Sequence, residues 1–345
     1  MTVPRWKNRP DGSNWGDFGP DDQAGRLNLL TPEKVLQGVA EVIEGRSFCL
    51  SLPLNIPGRA VNPRRQPPRV TATERDGLPQ INFPLDRIDR RSTDVMCDDQ
   101  VHLCLQFSTQ WDAFSHIGAR FDADGDGVAE ICYYNGYRAG EHIRGAVDYE
   151  NEQAACEGPF GAHRLGIDSI ATTCVQGRGV LIDLHEHFGR QRVAVDYETL
   201  AGIMKSDGVR VEPGDMLLLR TGYSELLMEM ADQPDPELLK HSCAVLDGND
   251  PQMLRWISDT QIVAIAADND AVERYPAPPR PGSSSLLPLH HHCLFKLGIP
   301  LGELWWLRDL AQWLRPRRRS RFLLTAPPLR LPGAVGSPAT PVATV

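Results

Sequence analysis

The chain has 345 residues, 41% of them hydrophobic, and a formal net charge of −9 from 45 acidic and 36 basic side chains. That length allows one large α/β domain or two smaller ones, and the acidic balance argues against a general nucleic-acid surface. No apolar run reaches the roughly 18 residues that span a bilayer, and Met1 to Lys7 lacks the apolar core of a secretory signal, so a cytoplasmic protein is expected.

Residues 1–30 are rich in Trp, Asp, Gly and Asn and read as an ordered but irregular arm. Thr31-Pro32-Glu33 opens a helix, with Thr31 accepting from an orphan amide and Pro32 suited to the first turn. The spacing of Val35, Val39, Val42 and Ile43 predicts its buried stripe. Ser47 to Leu54 reads as a strand, and the Pro- and Arg-rich stretch 57–93 as a long loop or flap, of the kind that is functional or mobile. Val101 to Leu105 is an apolar run expected to enter the core and to deliver the polar residues Gln106-Phe-Ser-Thr-Gln-Trp-Asp-Ala-Phe-Ser-His116 at the sheet edge.

An irregular stretch follows to about Ile170. Strands are expected at Val180–Leu184, Asp215–Gly222, Gln261–Ala267, Leu301–Leu307 and Phe322–Thr325. Helices are expected near Val195–Ser206, Pro251–Ile257 and Leu286–Leu297. Gly333–Val345 carries no charge and reads as an extended arm packed on the protein or on a second subunit. Strands alternating with helices amid abundant irregular structure indicate a mixed α/β fold. The eight cysteines contain no Cys-x-x-Cys and read as buried, reduced thiols acting as small hydrophobes.

Asp112 and His116 pair a hard oxygen ligand with a titratable imidazole four residues on, which suits metal or acid/base chemistry. The plain alternative is a turn-capping aspartate and a surface histidine. His290-His291-His292 cannot all face one way on a helix that turns about 100° per residue. A metal site there needs one of these histidines together with Glu303 and Asp112, a set suited to Zn²⁺ or Mn²⁺. Asp122-Ala-Asp124-Gly-Asp126-Gly127 imitates the start of a calcium loop, but Tyr133 stands where the closing Glu belongs, so a turn is expected. Asp268-Asn269-Asp270 ends a strand and could line a cleft. No Gly-x-Gly-x-x-Gly, P-loop or Gly-x-Ser-x-Gly is present.

The Ser-Thr-Gln-Trp-Asp-Ala-Phe-Ser-His stretch resembles the signature His-x-Gly-Thr-His-x-Asp-x-Pro-x-His of the cyclase family of metal-dependent hydrolases, which includes kynurenine formamidase and isatin hydrolase. His290 to Leu294, Gly298-Ile299 and Glu303 resemble its second signature, and the likeness covers most of residues 95–330. The resemblance implies a single α/β domain with a central mixed, barrel-like sheet flanked by helices, of the swivelling β/β/α type. It divides the chain into an N-terminal arm, helix and loop at 1–94, a catalytic core at 95–330 and a C-terminal arm at 331–345, usually assembled as dimers or tetramers. It also implies Asp112, His290 and Glu303 as metal ligands, with His291 the alternative if the register slips, and His116 as general acid/base. Gln106 and Gln110 depart from the pattern, standing where the family has ligand histidines. One divalent metal is therefore expected, Mn²⁺ ahead of Zn²⁺, with Gln106 at most a weak ligand.

The implied function is hydrolysis of a C–N amide or imide bond, or a lactone, in a small cyclic or aromatic substrate by metal-activated water. His116 would shuttle the proton, Gln110 would steady the oxyanion, and Trp15, Trp111 and Phe114 would form an apolar wall. Two alternatives keep the fold: a metal-free cyclase or dehydratase using His116 and Glu303, and a small-molecule binding protein without catalysis.

Overall fold

The computed structural model describes residues 4–57, 61–149, 153–154, 159–230, 233, 235–281 and 285–345. Its frame is one nine-stranded mixed sheet that curls into a half-barrel flanked by helices. In chain order the strands are β1 (Ser47–Cys49), β2 (Gln110–Asp112), β3 (Gln176–Asp183), β4 (Met216–Arg220), β5 (Ala264–Ala267), β6 (Leu301–Glu303), β7 (Arg321–Thr325), β8 (Gly336–Pro338) and β9 (Val342–Thr344). They lie side by side as β1-β9-β7-β3-β4-β5-β6-β2-β8. The central four, β3, β4, β5 and β6, run parallel, and every pair outside them is antiparallel.

Every residue of β4 and of β5 is buried. Parallel strands covered on both faces need continuous apolar runs, which is why Met216-Leu-Leu-Leu and Ala264-Ile-Ala-Ala stand out in the sequence. The tail does not project. Val342–Thr344 fills the space between β1 and β7, and Gly336–Pro338 forms the edge beside β2.

Four expectations are corrected. The first helix, α1 (Pro32–Val39), is capped by Thr31 as expected, but it does not bury a valine stripe. Val39 and Ile43 are exposed, and the face on the sheet carries Gly38 and Lys34. Gly38 lies so close to Gly177 of β3 that a Cβ there would meet the Gly177 carbonyl carbon at 2.7 Å. Lys34 is buried because its Nζ reaches Asp215 at 3.0 Å.

Val101–Leu105 is not a core strand. Asp99–His102 forms an exposed two-stranded ribbon with Arg69–Ala72, and Val101 faces Val70 across it. Leu286–Leu297 is not a uniform helix either: one α-turn at Pro288–His290 passes into a π-helix at His291–Leu297. Finally, Cys132, Cys243 and Cys293 are buried, but Cys49, Cys97 and Cys174 are exposed, because their short strands and turns lie at the surface. Cys104 is half-buried, and Cys156 lies outside the described residues. Among the described residues no helix is long and apolar enough to cross a membrane.

Candidate metal centre

The centre is built where β2 meets β6. Their antiparallel register places Glu303 directly opposite Gln110, and Leu301 opposite Asp112. Side chains alternate along a strand, so Gln110 and Asp112 share one face and Trp111 takes the other. Gln110 Nε2 donates to Glu303 Oε2 at 2.8 Å across the pair. Trp111 meets Trp305 edge-on with ring centroids 5.0 Å apart, and its indole N–H donates to the Ala326 carbonyl. Gly302 makes this packing possible: a Cβ there would meet Trp305 Nε1 at 2.7 Å.

His290 arrives from the turn before the π-helix. Among the three histidines it alone enters the centre. The His291 ring packs on Phe295 with centroids 4.9 Å apart, and His292 Nε2 pairs with the Ser258 hydroxyl at 2.9 Å. Burial pushes both of those imidazoles down to about 4. His290 Nε2 lies 3.3 Å from Glu303 Oε1. Its Nδ1 lies 2.8 Å from Glu273 Oε1.

Glu273 also accepts the main-chain N–H groups of Leu289 and His290, each at 2.8 Å. One carboxylate therefore caps the turn and fixes the imidazole, the partner arrangement that orients metal-bound histidines. Gly248 leaves room for it, since a Cβ at that position would sit 2.0 Å from Glu273 Oε2. Sequence reasoning missed Glu273. The nearest signal was the acidic end of β5, Asp268-Asn269-Asp270, three residues before it.

His116 follows β2 through a turn, with its Nε2 3.9 Å from Asp112 Oδ1. About a quarter of its side chain (23%) reaches solvent. Burial lowers its pKa, partly offset by Asp112 and reinforced by His290 and Arg65, so the neutral, proton-accepting imidazole is favoured. Burial also works against charge on His290, but its bonds to Glu273 and Glu303 outweigh that and raise its pKa. Glu303 is raised as well, by burial and then by the charge of Asp112.

The structure therefore brings together Asp112, Gln110, His116, His290 and Glu303 from the expected set. Gln106 turns toward the other edge of β2. A Cβ on Gly336, which pairs with Asp112, would lie 2.4 Å from Gln106 Nε2. The expected aromatic wall is corrected. Trp15, Trp111 and Phe114 are all fully buried core residues. Trp15 donates to the Phe295 carbonyl and meets the Phe295 ring edge-on, while Phe114 packs on Tyr134. Gln110 is corrected too: its amide nitrogen is engaged by the Glu303 carboxylate, so it serves first to hold Glu303 rather than to steady an oxyanion. The acidic turn behaves as expected, with Asp122 accepting the N–H groups of Gly125, Asp126 and Gly127.

Donor atoms of Asp112, His290 and Glu303 all lie within 4.8 Å of one another, and all three residues are buried. Among the described residues, neither carboxylate oxygen of Asp112 nor Oε1 of Gln110 has a hydrogen-bond partner, and all three are buried. Unpartnered buried oxygens of this kind are rare, because each forfeits its hydration without compensation. Two carboxylates and one imidazole form a donor set able to hold a divalent cation.

Residues 48–274 match the family model Cyclase, described as "putative cyclase". The crystal structure of a novel cyclase is similar over 96% of this chain and 97% of its own, with 30% sequence identity and a TM-score of 0.72. Isatin hydrolase A from Labrenzia aggregata shares the fold, with 17% identity, a TM-score of 0.54, and coverage of 90% of this chain and 97% of its own. Isatin hydrolase A from Ralstonia solanacearum does so with 14% identity, a TM-score of 0.52, and coverage of 86% and 91%. A comparison with curated proteins finds no match. A family match over this span, with a relative of this identity along nearly the whole chain, makes this protein a member of the cyclase family.

Proposed function

We propose that this protein is a metal-dependent hydrolase that opens an amide, imide or lactone bond of a small cyclic or aromatic molecule. The observation that carries the reading is Asp112, a wholly buried carboxylate with both oxygens unpartnered beside His290 and Glu303. The isatin hydrolases among the structural neighbours are consistent with the reaction class. Asp112, His290, Glu303 and the Gln110 oxygen would hold one divalent cation, which supplies Lewis acidity and makes water a stronger acid.

The chain's own residues do the rest. His116, neutral through burial, accepts the water proton at Nε2 and returns it to the leaving nitrogen or oxygen. Gln110 holds Glu303 in place through its N–H, and Glu273 holds the His290 ring. The contact between His290 and Glu303 supports a metal-free acid/base enzyme as the second reading.

Elemental analysis of the purified protein separates the two. One equivalent of metal in the wild type, lost in Asp112→Ala, is expected; metal-free protein that still turns over favours the second. Activity is assayed on aryl formamides and cyclic imides. His116→Ala is expected to lose about 10²–10⁴-fold in kcat. Full activity in both His116→Ala and Asp112→Asn would end the hydrolase reading.

A further inference from the structure

Arg65 stands beside this acidic centre. It comes from the Pro- and Arg-rich stretch after β1, and its side chain is half-buried. Nη1 donates to the main-chain carbonyl of Gln106 at 2.6 Å, which ties the guanidinium to the residues leading into β2. Pro57, Val61, Asn62, Phe107 and Leu304 surround a small void with it, and Leu304 directly follows Glu303. The charge of Arg65 is felt at His116, Glu303 and Asp270. Among the described residues it nonetheless has no carboxylate within salt-bridge distance, and no partner beyond the Gln106 carbonyl.

A guanidinium carries five N–H donors in a planar fork, and arginine seldom loses solvent without an anion to face. The acids of the centre are already spoken for. Glu273 is held by His290 and two amides, and Asp112 and Glu303 would be compensated by a divalent cation. That leaves Arg65, held against the residues leading into the strand that carries Asp112, as an uncommitted positive charge on this side of the centre.

We propose that Arg65 binds a carboxylate carried by the substrate, so that the centre selects small anionic amides or lactones over neutral ones. The fork matches two carboxylate oxygens, and the Gln106 carbonyl anchors one of its nitrogens. That the carboxylate belongs to a substrate rests on the hydrolase reading; the contact with Arg65 does not.

The test uses two matched pairs of probes that differ only in an ortho carboxylate: N-formylanthranilate with formanilide for turnover, and anthranilate with aniline for binding. Calorimetry on metal-loaded wild type is expected to show the carboxylated probe binding about tenfold or more tightly. Arg65→Met is expected to erase that preference while metal content and melting temperature stay unchanged, and Arg65→Lys to keep part of it. Wild-type protein that binds both members equally, or neither, overturns the assignment. So does an Arg65→Met protein that keeps the preference. If Arg65→Met does not fold, the wild-type comparison and Arg65→Lys decide alone, with an undiminished preference in the lysine variant counting against the fork. Selective binding of anthranilate without cleavage of either formamide defeats the hydrolase reading and leaves the Arg65 assignment standing. Equal kcat/KM on both formamides does the reverse.

Discussion

Asp112, in β2, and Asp215, immediately before β4, are both wholly buried aspartates, and the fold treats them in opposite ways. Asp215 is saturated. Oδ1 accepts from Lys34 Nζ at 3.0 Å and Arg178 Nε at 2.8 Å, while Oδ2 accepts from the Glu212 N–H at 2.8 Å and Arg178 Nη2 at 3.2 Å. Among the described residues nothing donates to Asp112, and the His116 Nε2 lies 3.9 Å from its Oδ1. Burial of a charge is tolerated only with compensation. At Asp215 the protein supplies that compensation itself, pinning α1 and the chain before β4 to β3. At Asp112 it leaves the compensation to be brought from outside, which is what a binding centre requires and a structural ion pair does not.

Substituting each aspartate breaks the comparison most directly. Asp215→Ala strands two buried cations and is expected to lose about 3–5 kcal/mol of stability by denaturant titration. Asp112→Asn removes an uncompensated charge, so the metal-free protein is expected to be as stable as the wild type or more so, by about 1 kcal/mol. Equal losses at the two positions would mean that the carboxylates are doing the same job.

Glu273→Gln sharpens the contrast next. The amide still caps the turn but no longer accepts the His290 proton as a carboxylate does. Metal affinity by competitive chelation is expected to fall about 10–100-fold with the fold intact. An unchanged affinity would remove His290 from the ligand set.

The smallest effect lies at the rim of the Asp215 cluster. The hydrogen bond from Arg178, helped by Arg321, holds the Glu212 carboxyl down at about 2 against an ordinary 4.5. A depressed folded-state pKa contributes stability above the unfolded value and loses it as pH falls through the folded one. Glu212 should therefore stabilise the protein fully above pH 4.5 and progressively less down to about pH 2. The partly exposed pair limits this to about 1 kcal/mol or less. Acid titration of Glu212→Gln is expected to show a shallower loss across that window.

The parallel strands were legible because burial on both faces forces unbroken apolar runs, as at Met216–Leu219 and Ile262–Ala267. The cap of α1 was legible because capping is local. The buried face of α1 was not. Nothing local says that Lys34 will meet Asp215, or that Gly38 will rest on Gly177. The same holds for Trp15, Trp111 and Phe114. An aromatic beside polar site residues reads as a pocket wall, but strand alternation sends Trp111 through to the opposite face.

For the centre itself, residue chemistry and motif order picked out Asp112, His116, His290 and Glu303 from the chain. The sequence alone determined which donor types exist and that two histidine positions hold glutamine. The tertiary structure decided that His290 faces Glu303 while His291 and His292 turn away, that Gln110 lends its N–H to Glu303, and that Glu273 orients the ring. It also decided that Arg65 comes to rest against Gln106. The physical reason is separation along the chain. Chemistry is written into each residue, whereas register, rotamer and the meeting of residues nearly two hundred positions apart are fixed only when strands pair and the core closes around them.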